Sequence, residues 1–143
     1  MGKRGITIKK KEGDFITPKG TFKIKEIFYR KDRVQNLTTR LKKTVIRKNM
    51  GWCDDPKSKK YNKLINFPFK YGAERLYRRE NIYDIILVLN FNMNPVKKYK
   101  GSAIFIHVAK KNFQPTQGCI ALDKSELIKL VKSIKINTIV KII

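Results

Sequence analysis

Residues 101–122 read GSAIFIHVAKKNFQPTQGCIAL. Ala103 to Val108 is a short run of apolar and β-branched residues, so it reads as a strand. Turn-forming and charged residues fill 109–118, and Ile120-Ala121-Leu122 forms a second, shorter extended piece. Asp123 then opens a helix with Glu126 three positions on, the spacing of a capping box. Leu127, Ile128, Leu130, Val131 and Ile134 supply its apolar face. Thr138 to Ile142 is a last strand.

Toward the N-terminus, residues 83–90 carry Ile85-Ile86-Leu87-Val88-Leu89, the unbroken apolar run of a buried central strand. Residues 21–29 alternate, with Phe22, Ile24 and Phe28 on one side and Lys23 and Lys25 on the other. Residues 43–47 make another strand. Residues 5–10 make a short one with Ile6 and Ile8 on one side. Gly13-Asp14 and Pro18-Lys19-Gly20 read as turns. Residues 30–42 are polar and looped. Residues 49–70 read as a long surface excursion, a length that suits binding. The expected fold is mainly β, a sandwich or barrel with one clear helix at about 123–133. A short helix near 71–79 is an additional candidate. The 143 residues suit one domain over 1–143.

Composition narrows the function. The formal charge is +23, from 34 basic and 11 acidic residues, which invites a nucleic-acid reading. The excess is lysine, 26 Lys against 8 Arg beside 19 Ile and 10 Asn, a set with A+T-rich codons. The lysines run from Lys3 to Lys141 rather than in one arm. A solvated cationic surface, or attraction to an anionic wall polymer, accounts for them without a stable nucleic-acid partner. Two cysteines make no disulfide framework, and two cysteines with one histidine fall short of a structural zinc site. No metal or cofactor is expected. No run of about 18 apolar residues suits a membrane span. No apolar segment follows the basic Met1-Gly2-Lys3-Arg4-Gly5, so no secretory signal is visible.

The chemistry centres on one histidine. A nucleophilic cysteine needs a base or a cationic neighbour, because the thiolate attacks. His107 ends a strand and Cys119 follows 12 residues later, past a loop able to fold back. Gly118 permits a close backbone approach that leaves N–H groups near Cys119 to meet an oxyanion. Cys53 is followed by Asp54 and Asp55, which disfavour a thiolate. Cys119 has Lys110, Lys111 and Lys124 nearby in sequence, so the local field favours it.

The segment HVAKKNFQPTQGCIAL (107–122) resembles the catalytic signature of the L,D-transpeptidases with the YkuD-type domain. That signature is a histidine, a loop, then Ser or Thr, His, Gly, Cys and an apolar residue. Thr116, Gln117, Gly118, Cys119 and Ile120 stand in the last five places. DFITPKGTFKI (14–24) resembles the family's TPxG-aromatic stretch. The spans 50–62, 82–92 and 101–109 look like a proteobacterial branch. The family usually has His where Gln117 stands, and Arg or Asn where Ala121 stands. The first departure leaves His107 as the sole base. The second leaves substrate-carboxylate binding lost or relocated.

The resemblance implies a β-rich catalytic domain acting on peptidoglycan stem peptides as donor and acceptor. It implies Cys119 as nucleophile, His107 as base, backbone groups around Gly118 for the oxyanion, and the Val108 carbonyl orienting the imidazole. A monomer in the cell envelope or periplasm is expected. Relatives usually carry a strand before residue 2, so an N-terminal strand is expected to be missing. Substrate-binding candidates are Thr116, Gln117, Trp52, Asp54, Asp55 and Tyr61. A carboxypeptidase or other amide hydrolase using the same site is the first alternative, and a basic binding module the second.

Overall fold

The computed structural model describes residues 1–9 and 11–143; Lys10, in the expected strand 5–10, lies outside the described residues. Strand β1 is Ile6–Thr7, and it pairs in parallel with β2, Thr17–Pro18. Pro18 is therefore a strand residue and not the start of a turn. Thr17 and Pro18 are buried against neighbouring backbone, and the Lys19 N–H donates to the Thr7 carbonyl at 2.9 Å. Ile8, expected on one side of the strand with Ile6, lies past the end of β1 and is 70% exposed.

The main sheet is built on β3, Gly20–Tyr29, and β8, Ile85–Leu89, which pair antiparallel. All five residues of β8 are buried, as a central strand covered on both faces requires. Strand β4, Lys43–Val45, runs parallel to the end of β3, and β11, Ile139–Ile142, runs antiparallel to its start. Beyond β8 come β9, Phe105–Val108, and β10, Ile120–Leu122. The path β10-β9-β8-β3-β11 does not close, so the architecture is a layered sandwich.

A register shift between Ile24 and Glu26 inserts an extra residue into β3. A bulge reverses the in–out phase beyond it. Ile24 and Ile27 consequently share one core, while Phe28 turns to the other. The expectation that Phe22, Ile24 and Phe28 share a face fails for this reason.

The first core packs Ile27, Leu87, Leu89, Ile106 and Val108 against Leu127, Val131 and Ile134 of α1, Lys124–Ser133. Asp123 caps α1 by accepting from the Ser125 N–H at 2.9 Å. The reciprocal half of the capping box is absent among the described residues, because Glu126 pairs with Lys129 at 2.8 Å.

The second core packs Phe28, Ile86, Val88 and Phe105 against Met50, Trp52, Leu76 and Tyr83. Truncating a buried aromatic such as Phe105 would cost about 3–5 kcal/mol. This core is covered by a second sheet, in which β5, Met50–Cys53, lies between β6, Leu64–Asn66, and β7, Ala73–Arg75. The span 49–70 is thus two strands joined by turns rather than an unstructured excursion, because all four residues of β5 are buried. The helix considered near 71–79 is absent: 73–75 pairs with β5, and Leu76 alone of that stretch is fully buried, so no helical stripe exists. A single 3-10 turn, Asn81–Tyr83, leads into β8.

Candidate active site

The site forms where β9 and β10 lie side by side. Their parallel register sets Ile120 against Ile106, Ala121 against His107 and Leu122 against Val108. Parallel neighbours point their paired side chains to one side of the sheet, and alternation returns every second residue to it. Phe105 and His107 from β9 therefore share a face with Ala121 and with Cys119, two residues earlier. That face is the one bearing the second core. His107, Ala121 and Cys119 line one cavity of about 480 Å³.

Cys119 is half-buried and free. Its thiol donates to the Ala103 carbonyl at 3.1 Å, and the Phe105 N–H donates to the sulfur at 3.4 Å. Burial first, and the Glu74 carboxylate second, push the thiol up to about 12. The resting group is thus a thiol. The expectation that Lys110, Lys111 and Lys124 favour a thiolate fails: Lys124 pairs with Asp84 at 2.8 Å, and the cations acting on the sulfur are Lys9 and the N-terminal ammonium, which burial and Glu74 outweigh.

The His107 ring is buried, with Nδ1 2.8 Å from the Val108 carbonyl oxygen. A carbonyl only accepts, so Nδ1 carries the proton and Nε2 of the neutral ring carries the lone pair. Burial lowers the imidazole's affinity for a second proton, and Arg78 and Lys110 add to the effect. Tyr83 meets the ring edge-on at 5.5 Å between centroids. Among the described residues no hydrogen bond joins the ring to the Cys119 sulfur.

The loop ahead of Cys119 is braced from two directions. The Thr116 hydroxyl donates to the Cys119 carbonyl at 2.6 Å and accepts from the Gly118 N–H at 3.2 Å. The Gly118 N–H, expected to face an oxyanion, is turned to Thr116 in this arrangement. Residues 1–3 lie along the loop: Gly2 and Thr116 form a parallel bridge, and the Lys3 N–H donates to the Thr116 carbonyl at 2.9 Å.

The remaining candidates divide. Thr116, Gln117 and Asp54 line the cavity. Burial, then Glu12 and Asp55, raise the Asp54 carboxyl above its ordinary value. Asp55 does not line the cavity; it accepts from the Lys57 and Gly72 N–H groups, the contacts of a turn. Trp52 does not line it either. Its indole is in the second core, donating to Asn62 Oδ1 at 3.0 Å. Tyr61 is buried just behind the cavity, and its hydroxyl donates to Glu12. Cys53 is fully buried in β5.

Sequence reasoning missed Glu12, Ser102, Glu74, Arg78 and Tyr83, all of which line the cavity. Glu74 accepts from the Tyr83 hydroxyl and from Arg78 Nη2 at 2.9 Å. Glu12 accepts from Ser102 at 2.7 Å as well as from Tyr61. The scarcity of acids was the one available signal, since three of only 11 acids, Glu12, Asp54 and Glu74, gather here in a chain of charge +23.

Neither the curated proteins nor the solved structures contain a significant match to the chain. The family model for the L,D-transpeptidase catalytic domain, YkuD, matches residues 1–142. With this match over nearly its whole length, the chain belongs to the YkuD family of L,D-transpeptidase catalytic domains.

Proposed function

We propose that the chain is a peptidoglycan L,D-transpeptidase with Cys119 as nucleophile and His107 as general base, working in the cell envelope as a monomer. The observation that carries this reading is the His107 Nδ1–Val108 carbonyl contact at 2.8 Å, beside a cavity that Cys119 shares. It leaves Nε2 as a base in the pocket of an otherwise unactivated thiol.

As the sulfur attacks the donor carbonyl carbon, the thiol proton passes to Nε2 and the carbonyl oxygen becomes an anion. Main-chain N–H groups of the Gly118–Cys119 turn stabilise that anion once substrate displaces the Thr116 contact. Collapse breaks the peptide C–N bond, and the proton on Nε2 goes to the departing amino group of a D-amino acid. The thioester is then attacked by an acceptor amine. Its proton returns through His107 to the sulfur, leaving a new amide cross-link. Glu12 and Asp54, at the cavity wall, hold the acceptor as an ammonium before it is deprotonated. Gln117 and Thr116 contact the donor at the loop.

Incubation with stem-peptide muropeptides, read by mass spectrometry, tests the reading. Cross-linked dimers are expected. Shortened monomers alone would make the enzyme an L,D-carboxypeptidase using the same residues, and the absence of both products would overturn the enzymatic reading. Exposure to a carbapenem should add its mass to the wild type and not to Cys119→Ala. A nucleic-acid-binding module would instead bind with a steep salt slope that survives Cys119→Ala.

A further inference from the structure

We propose that Arg78 is a specificity-determining residue that binds the terminal carboxylate of the donor peptide. This rests on the donor chemistry proposed above. A donor that loses its last D-amino acid carries a free carboxylate three bonds beyond the carbon that Cys119 attacks. A group that reads it must therefore lie beside Cys119 and His107.

Four cationic side chains line the cavity: Lys3, Lys9, Lys110 and Arg78. Lys9 is buried, with its ammonium on Asp14 and 3.4 Å from the Ile16 carbonyl. Lys3 lies over the Phe15 ring at 5.7 Å and is exposed, as is Lys110. A long exposed ammonium loses rotamer freedom on binding and reads no geometry.

Arg78 differs on each count. Its Nε donates to the Arg75 carbonyl at 3.0 Å and its Nη2 to Glu74 at 2.9 Å. The guanidinium stands 5.0 Å over the Tyr83 ring, and that ring meets the His107 imidazole. Among the described residues Nη1 makes no hydrogen bond within the chain. Arg78 is thus a planar donor already held in place next to the base, with donor capacity left over. Ala121, the register partner of His107, also lines the cavity and presents only a methyl group and no charge. Three carboxylates also line the cavity, Glu12, Asp54 and Glu74, and Glu74 is the one already paired to Arg78. Of the lining cations, Arg78 is therefore the one held in a fixed plane beside His107.

The test compares a tetrapeptide stem ending in a free carboxylate with its carboxamide analogue. Wild type should favour the carboxylate in kcat/KM by about 10- to 100-fold. Arg78→Gln should bring that ratio toward one, and Arg78→Lys should recover part of it. Calorimetry with Cys119→Ala supplies a reading independent of turnover: it should bind the carboxylate peptide more tightly than the carboxamide. Wild type without the preference, Arg78→Gln retaining it, or Cys119→Ala binding both peptides equally or neither would overturn the inference. Should wild type turn over neither peptide, the transpeptidase reading fails, and the binding comparison still decides the role of Arg78. The wild-type comparison needs no variant, so misfolding of Arg78→Gln does not remove the test.

Discussion

A Cβ placed on Gly118 would lie 2.8 Å from the main-chain oxygen of Ile16. Gly118 also has φ +136, a conformation open to glycine and strained for other residues. A Cβ on Gly2 would meet the neighbouring Phe15 oxygen at 2.3 Å, so one stretch of backbone is pressed from both sides. Gly118→Ala should therefore lower stability by about 2–3 kcal/mol, from strain and displaced backbone together, and abolish turnover. Gly5→Ala is the control: φ is +79 with no atom within 4 Å of the added carbon, so strain alone costs about 1 kcal/mol. Urea denaturation of the two variants measures the difference, and equal losses would remove the argument.

The pH dependence follows from a neutral thiol and a neutral imidazole. His107 is lowered below its ordinary value of ~6.5, so the neutral ring that the proposed base role needs dominates at neutral pH. Plots of kcat/KM should rise with pH through an apparent pKa below ~6.5 and stay level to about pH 9, since the thiol is pushed up to about 12. A bell with a thiolate ionisation below 7 would contradict the base-activated mechanism. Folding stability should follow in the same direction. The unfolded histidine protonates more readily than the folded one, so the contribution of neutral His107 is complete above ~6.5 and is lost as pH falls below it.

Thr116 holds both sides of the Gly118–Cys119 turn through one hydroxyl. Thr116→Val keeps the shape and removes both bonds, and should lower kcat about tenfold or more with a small change in KM. Thr116→Ser should keep most of the wild-type rate. Steady-state kinetics on the muropeptide substrate separates these outcomes.

Trp52 belongs to the second core, at 5.3 Å from Phe105 between ring centroids, with its N–H on Asn62. Trp52→Phe should lower thermal stability by about 1–3 kcal/mol and leave KM for the donor near its wild-type value. A large KM change with unaltered melting would place the indole against substrate instead.

Asp54 and Asp55 should part company in acceptor binding. Asp54 lines the cavity beside Glu12, while Asp55 braces a turn. Asp54→Asn should raise KM for the acceptor amine about three- to tenfold, and Asp55→Asn should not. Varying acceptor at saturating donor reads this directly.

Local patterns in the chain were sufficient for the strands that carry the site. The apolar run Ile85–Leu89, the strand before His107, the extended piece after Cys119 and the Asp123-capped helix all follow from side-chain period and capping chemistry. The order His107, Gly118, Cys119 also pointed to the proposed chemistry, because one histidine and one cysteine outside an acidic neighbourhood leave few pairings. What escaped was set by contacts distant in the chain. The bulge that sends Phe28 to the second core depends on pairing with β8, about 60 residues on. Strand β7 exists because β5 offers it an edge, not because 73–75 has strong strand character.

The sequence by itself determined the candidate reacting groups and the elements that bear them, because backbone period and turn chemistry act over a few residues. Only the tertiary structure decided the environment of those groups. Burial beside Glu74 makes the cysteine a thiol rather than a thiolate, and Arg78 and Tyr83, about 30 and 24 residues before His107, are brought to its side. Desolvation and charge act through space, and the folding of two sheets around one cavity sets the distances over which they act.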